Sequence, residues 1–194
     1  MSLFKSYKKY NDEELMKFVQ GHNYSAFDEL HTRYSKRLLH FMFKMLNNDE
    51  EKAQDLLQDL FMKIVERPHM FDTSKKFYSW VFTIAANMCR THYRDLKKNE
   101  ISTDEDAARH LINEKDELFS KMDGKLFSTN LELALGNLQY EQKETFILRF
   151  QEGFSIEEIS VMMNCSLGTV KSRIYYTTRK LAIELQEFKS LLNK

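Results

Sequence analysis

Apolar residues recur along this chain at spacings of three and four, not two. In "AFDELHTRYSKRLLHFMFKML", Phe27, Leu30, Tyr34, Leu38, Phe41 and Met45 share one face, which predicts a long amphipathic helix. "DEEKAQDLLQDLFMKIVER" repeats the pattern through Ala53, Leu57, Leu60 and Ile64, and Pro68 stops it. "FDTSKK" then reads as a loop, and "FYSWVFTIAANMCRTHYRDLKK" as a third helix over residues 77–98. Periodicity resumes at Leu131, and Gly153 is placed to close another helix as its C-cap. No useful run alternates apolar and polar residues, and no segment repeats another. The expected class is all-α.

Between residues 99 and 130 the apolar period weakens, and eight acidic residues stand against four basic ones. That stretch reads as an acidic linker joining two small helical domains, residues 10–98 and 131–188.

The second domain carries "SIEEISVMMNCSLGTVKSRIYYTTRKL", residues 155–181. Ile156, Ile159 and Met163 define a short helix. Asn164 falls where a tight turn needs a left-handed residue, and Ser166 is a good N-cap for the next helix. In that helix Leu167, Val170, Ile174 and Leu181 form a narrow apolar stripe. Thr169, Ser172, Arg173, Tyr176, Arg179 and Lys180 lie opposite. Two helices across a short turn, the outer one basic and free of Asp and Glu, match a helix-turn-helix. A carboxylate there would face two phosphate strands, whereas Lys and Arg release counterions. A merely solvated basic face is the plainer reading of the same residues.

Composition narrows the choice. The 194 residues hold 29 basic and 29 acidic side chains, so only the distribution of charge can point to nucleic acid. Cys89 and Cys165 are far apart in apolar helical contexts, which offers no disulfide or metal spacing and suits a reducing cytoplasm. His22, His31 and His40 stand nine apart, off metal-ligand helical spacing, and five glycines leave no phosphate loop. No catalytic constellation, cofactor or metal is expected. "MSLFKSYKKYNDEEL" lacks an apolar signal region and no later run approaches spanning length, so a cytoplasmic protein without membrane insertion is expected.

Charge is also divided within the first domain. Residues 49–66 hold six acidic against two basic residues, and residues 75–98 hold six basic against one acidic. Asp55 and Asp59, four apart on a helix, repel slightly. They suit a basic partner, though a solvated face fits as well. In the 77–98 helix Val81, Ile84, Ala85 and Met88 form one arc, and Thr83, Asn87, Arg90, Thr91 and Arg94 the other. Trp80, the only tryptophan, falls on the polar arc with Phe77 and Tyr78 adjacent. Aromatics beside a basic stripe can stack unpaired bases, although a lone tryptophan is more often core.

The two motifs together resemble the extracytoplasmic-function (ECF) class of bacterial RNA polymerase sigma factors, in the sigma-70 family. "AQDLLQDLFMKIVERPHMFD" followed by "FYSWVFTIAANMCRTHYR" is similar to that family's second region, and "SIEEISVMMNCSLGTVKSRI" to its fourth. The resemblance implies that Asp55, Gln58, Asp59 and Phe61 dock on the polymerase clamp coiled coil. It implies that "FDTSKK", with Lys75, Lys76 and Phe77, and the helix carrying Trp80, Asn87, Arg90 and Arg94, meet the −10 element and assist melting. Thr169, Lys171, Ser172, Arg173, Tyr176 and Arg179 would read the −35 element. Implied partners are the core polymerase at its clamp and flap, promoter DNA and an anti-sigma factor; the acidic linker would thread toward the active-site channel. Departures from the family pattern are Tyr175 to Thr178 where a basic run is frequent, Ala86 and Asp95 where basic residues are common, and Asn164 for a turn glycine.

The competing reading is a helix-turn-helix transcriptional regulator whose N-terminal helices dimerise or sense. An all-helical enzyme would need inward carboxylate and histidine pairs. A sigma factor lends specificity to an enzyme and performs no chemistry itself.

Overall fold

A computed structural model describes residues 6–102 and 130–186, and every regular element among them is helical. The chain divides into two compact units, Met1–Asp95 and Leu96–Lys194.

The first unit opens with α1, Asp12–Gln20, which the long periodic runs did not reveal. Asn11 caps it: its Oδ1 accepts from Glu14 N at 2.8 Å, and Asn11 N donates back to Glu14 Oε2 at 2.9 Å. Leu15, Met16 and Val19 turn inward. Helix α2 spans Tyr24–Met45 and α3 Glu50–Glu66. Between them Asn47 and Asn48 take φ of 55° and 67°, a left-handed geometry that Asn tolerates, and Asp49 caps α3 through Lys52 N at 3.0 Å. Pro68 ends α3 as expected and begins a 3₁₀ turn.

Helix α4, Phe77–Ser102, packs on α2 through aromatic pairs, Phe41 with Phe82 at 5.4 Å and Tyr34 with Phe77 at 5.1 Å. Its buried face is Val81, Phe82, Ala85, Ala86 and Cys89, not the arc through Ile84 and Met88. Ala86, where basic residues are common in the resembled family, is fully buried here. Arg33 of α2 binds α1 and the chain before it, donating to Asp12 Oδ1 at 2.7 Å, Tyr10 O at 3.0 Å and Lys8 O at 3.0 Å. Tyr34 also donates to Asp12, and burial followed by that carboxylate pushes its phenol far above the ordinary range.

In the second unit the stretch from Leu131 to Gly153 is broken. Helix α5 covers residues 130–136, and α6, Tyr140–Phe146, runs into a π-helical turn, Ile147–Gln151. Gly153 follows with φ of 79°, the left-handed residue its place required. Helix α7 is Ile156–Met162 and α8 Leu167–Glu184. Ala134, Leu135, Leu138 and Leu181 form a buried cluster with Leu131 and Phe146 against it. The stripe expected on α8 holds at Val170 and Leu181, but Leu167 is 43% exposed and Thr177 fully buried. Most of the acidic linker expected over 99–130 lies outside the described residues.

Candidate nucleic-acid interface

The turn between α7 and α8 is locked by short-range bonds. Ser155 and Glu158 form a capping box at the head of α7, at 2.9 and 3.1 Å. Asn164 takes φ of 47°, so the chain reverses within a few residues. Ser160 Oγ donates to Cys165 O at 2.6 Å, and Ser166 Oγ accepts from Thr169 N at 3.1 Å. The outer helix α8 is thereby fixed against α7 with its polar side outward.

On that side Ser172, Tyr176 and Arg179 are exposed, and Thr169 and Arg173 are half-buried; Lys171, also exposed, lies nearer the apolar stripe. Arg173 lies over the turn, with Nη1 3.9 Å from Met163 Sδ and 3.7 Å from Cys165 Sγ. Thr169 Oγ1 lies 2.9 Å from Ser166 Oγ. Lys180, grouped with the DNA-facing residues by the helical wheel, is held elsewhere: its Nζ donates to Asn137 O at 2.9 Å. Tyr175 and Tyr176 form an exposed edge-to-face pair at 5.3 Å.

In the first unit α4 carries a connected polar face. Arg90 Nη1 donates to Asn87 Oδ1 at 2.8 Å, Thr91 Oγ1 to Asn87 O at 3.0 Å, and Arg94 Nη2 reaches Thr91 Oγ1 at 3.4 Å. Trp80 is half-buried, with ring centroids 5.0 Å from Phe71 and 5.7 Å from Phe77. Its indole lines a hollow of about 660 Å³ between α3 and α4, together with Leu56, Asp59, Asn87 and Met88. It therefore sits between the two positions the sequence left open, neither sealed in the core nor standing free.

Phe77 corrects an expectation. Its ring is fully buried between Tyr34 and Phe71, so it cannot stack on a base. Lys75 and Lys76 are exposed on the preceding loop. Asp72 folds that loop by accepting from Ser74 N at 3.0 Å and Ser74 Oγ at 2.7 Å, which holds its carboxyl below the usual range.

On α3, Asp55 is exposed with Lys52 Nζ 3.7 Å away, and Asp59 is exposed on the rim of the hollow shared with α4. Gln58 is exposed beside a second, more apolar hollow of about 560 Å³, walled by Phe27, His31, Leu57, Phe61 and Met62. Phe61 is itself 6% exposed and packs on the His31 ring at 4.5 Å. Most of its ring is core, and only an edge lines the hollow. His31 was weighed in the sequence only as a metal ligand, and Met62 and the hollow itself were not singled out; the visible signal was Met62, an apolar residue off the inward face.

Among the described residues no group of His, Cys, Asp and Glu could hold a metal ion, and no helix is long and apolar enough to cross a membrane. A capped helix-turn-helix whose outer helix holds no Asp or Glu before Glu184, and a separate helical unit with a basic stripe, define a helical DNA-binding protein. The family model "Sigma-70 region 2" matches residues 30–99 and "Sigma-70, region 4" matches residues 128–181. The chain is 27% identical over 182 residues to the RNA polymerase sigma-H factor of Pseudomonas aeruginosa, covering 90% of this chain and 94% of that protein. It is 26% identical over 182 residues to the ECF sigma-E factor of Haemophilus influenzae, with 90% and 95% covered. The sigma factor RpoE from Bartonella quintana, solved with the anti-sigma factor NepR, superposes with a TM-score of 0.66 at 26% identity, covering 82% of this chain and 96% of that one. CnrH, solved with the cytosolic domain of CnrY, has the same fold, with a TM-score of 0.66 at 22% identity, covering 91% and 97%. The chain belongs to the ECF group of the sigma-70 family. It binds RNA polymerase core and supplies promoter specificity, as that family of non-enzymatic initiation factors does.

Proposed function

We propose that the two surfaces divide the promoter between them. The acidic side of α3 at Asp55 and Asp59, with the apolar hollow beside Gln58, docks on the clamp coiled coil, where a basic partner offsets the like charges. The loop bearing Lys75 and Lys76, and the α4 face of Trp80, Asn87, Arg90 and Arg94, hold the −10 element. Melting draws on binding energy, as captured and stacked bases offset the lost pairing. Helix α8 enters the major groove at the −35 element through Thr169, Lys171, Ser172, Arg173, Tyr176 and Arg179. The second unit meets the flap, and the work is done in the cytoplasm where core polymerase resides.

The observation that carries this reading is the exposed polar side of α8, which holds no Asp or Glu before Glu184 at its last position and is held outward by the Asn164 turn and the Ser166 cap. A regulator acting alone would not need a second nucleic-acid surface on α4. Run-off transcription with core polymerase on a genomic promoter library tests it. Promoters sharing two elements at fixed spacing are the expected result. Tight sequence-specific DNA binding by the chain alone, with no co-purification of core, would return it to ordinary regulators. The likeness to RpoE in its NepR complex supports an anti-sigma partner for this chain too.

A further inference from the structure

Helix α1 carries none of the proposed contact residues, yet it holds both ends of the loop that does. Gln20, its last residue, spends both carboxamide hydrogens on the chain entering the loop. Its Nε2 donates to Pro68 O at 3.1 Å and Phe71 O at 2.9 Å. At the far end Glu13 Oε1 accepts from Phe77 N at 2.9 Å. Phe77 is the first residue of α4, so this N–H has no partner within its own helix. The rings of Phe71 and Phe77 are 2% and 0% exposed and meet edge to face at 5.5 Å. Five residues, 72–76, thus span two fixed anchors, and the Asp72–Ser74 turn fixes their course between them. The platform is itself bound to α2 through the ion pair of Asp12 with Arg33 at 2.7 Å.

From this we infer that Gln20 and Glu13 are positioning residues for the −10 element: α1 preorganises the Asp72–Lys76 loop, so that base capture does not first have to order it. A loop fixed before binding loses less conformational freedom on binding, which strengthens and sharpens recognition without any new contact. The inference rests on the reading of this loop as a −10 contact.

The test uses holoenzyme assembled from the full chain and core polymerase. The probe is a fork DNA from a promoter found in the run-off screen, duplex through −35 with a single-stranded −10 segment. A second fork carries substituted −10 bases. Gln20→Met and Glu13→Met should each cut the preference for the selected over the substituted fork by roughly tenfold, the scale of one or two lost hydrogen bonds. Affinity for a −35 duplex lacking the −10 segment should stay unchanged, and Glu13→Gln, which keeps an acceptor oxygen, should retain the wild-type preference. A loop merely needed for folding would lower both affinities together. The paired variant Lys75→Ala with Lys76→Ala separates the two readings. If it lowers fork affinity while both Met variants keep full base preference, the loop works without α1 and the inference falls. If it too changes nothing, the loop is not a DNA contact and both readings fall. Glu13→Met and Gln20→Met act on opposite ends of the loop, so failure of one to fold leaves the other to decide.

Discussion

Replacing Trp80 by alanine should cost both stability and promoter opening, and the geometry says how much of each. The indole makes two ring contacts, to Phe71 at 5.0 Å and Phe77 at 5.7 Å. Each is worth about 0.5–1.5 kcal/mol beyond area burial. A half-buried aromatic body adds about 1 kcal/mol of transfer free energy. Trp80→Ala therefore loses about 3 kcal/mol from the first unit, while Trp80→Phe keeps a ring against Phe71 and loses about 1 kcal/mol. Because the variant has no tryptophan, urea unfolding is followed by helical ellipticity. With a slope near 2 kcal/mol/M, the midpoint of one transition should fall by about 1.5 M. A two-unit chain can unfold in two steps, so the other transition serves as an internal control. Opening is read from 2-aminopurine fluorescence at the −10 element, at a temperature where both variants are folded. Here Trp80→Phe should open DNA slowly and Trp80→Ala more slowly still. A midpoint shift below about 0.3 M would mean that the ring contacts hold nothing, contrary to their geometry. Wild-type opening by both variants would make Trp80 purely structural.

Other consequences are simpler to state. Asp55→Lys combined with Asp59→Lys should weaken core binding by at least about tenfold in a pull-down titration, with unfolding unchanged, because both carboxylates are exposed. Thr177 is fully buried and its Oγ1 has no hydrogen-bond partner among the described residues, so Thr177→Val should raise the stability of the second unit by about 1 kcal/mol, read from its unfolding transition. His92 is held below its ordinary value of 6.5 by burial and then by Lys52, with Asp49 and Asp95 acting the other way. The fold thus favours the neutral ring. Its contribution is complete above that ordinary value and is lost as pH falls through the lower folded value, so His92→Gln should flatten the acid side of the urea-midpoint profile.

What could be read from the chain beforehand divides along physical lines. Helices α2, α3 and α4 are long enough for a 3.6-residue period to dominate, and their stops are marked by Pro68 and the Asn47–Asn48 turn. Asn164, Ser166 and Gly153 were legible because their backbone roles admit few residue types. Helix α1 is nine residues with little room for periodicity, although its Asn11 and Glu14 capping box stood in the sequence as a start signal. The break at residues 137–139 and the π-helical turn after Phe146 shift the period without erasing it, so Leu131 to Gly153 read as continuous. Helix rotation was the weakest point. A wheel cannot choose between Ile84 with Met88 and Phe82 with Ala86, because α2 decides it by placing Phe41 against Phe82 at 5.4 Å. Thr177 was left out of the apolar stripe, yet its branched shape fills a space much as valine would. Phe77 looked available only because sequence position says nothing about the Tyr34 and Phe71 rings that enclose it.

Salt dependence offers a sharper test of α8 than affinity does. Four cations lie on that helix, Lys171, Arg173, Arg179 and Lys180, but they are not equivalent. Lys180 donates to Asn137 O at 2.9 Å and lies 3.8 Å from Glu184 Oε1, so its charge is spent inside the unit. Arg173 rests on two sulfur atoms and has no carboxylate in an ion pair with it among the described residues. The exposed Tyr175 and Tyr176, standing where the family often has basic residues, displace no counterion. Three cations then remain to contribute, and each phosphate contact adds about 0.9 to the slope of log affinity against log salt. Holoenzyme titrated with a −35 duplex at several salt concentrations should give a slope about 0.9 shallower for Arg179→Gln than for the unaltered chain. Lys180→Gln should leave the slope alone while lowering the stability of the second unit. If the two substitutions flatten the line equally, Lys180 has left Asn137 to meet phosphate, and the orientation assigned to α8 is wrong.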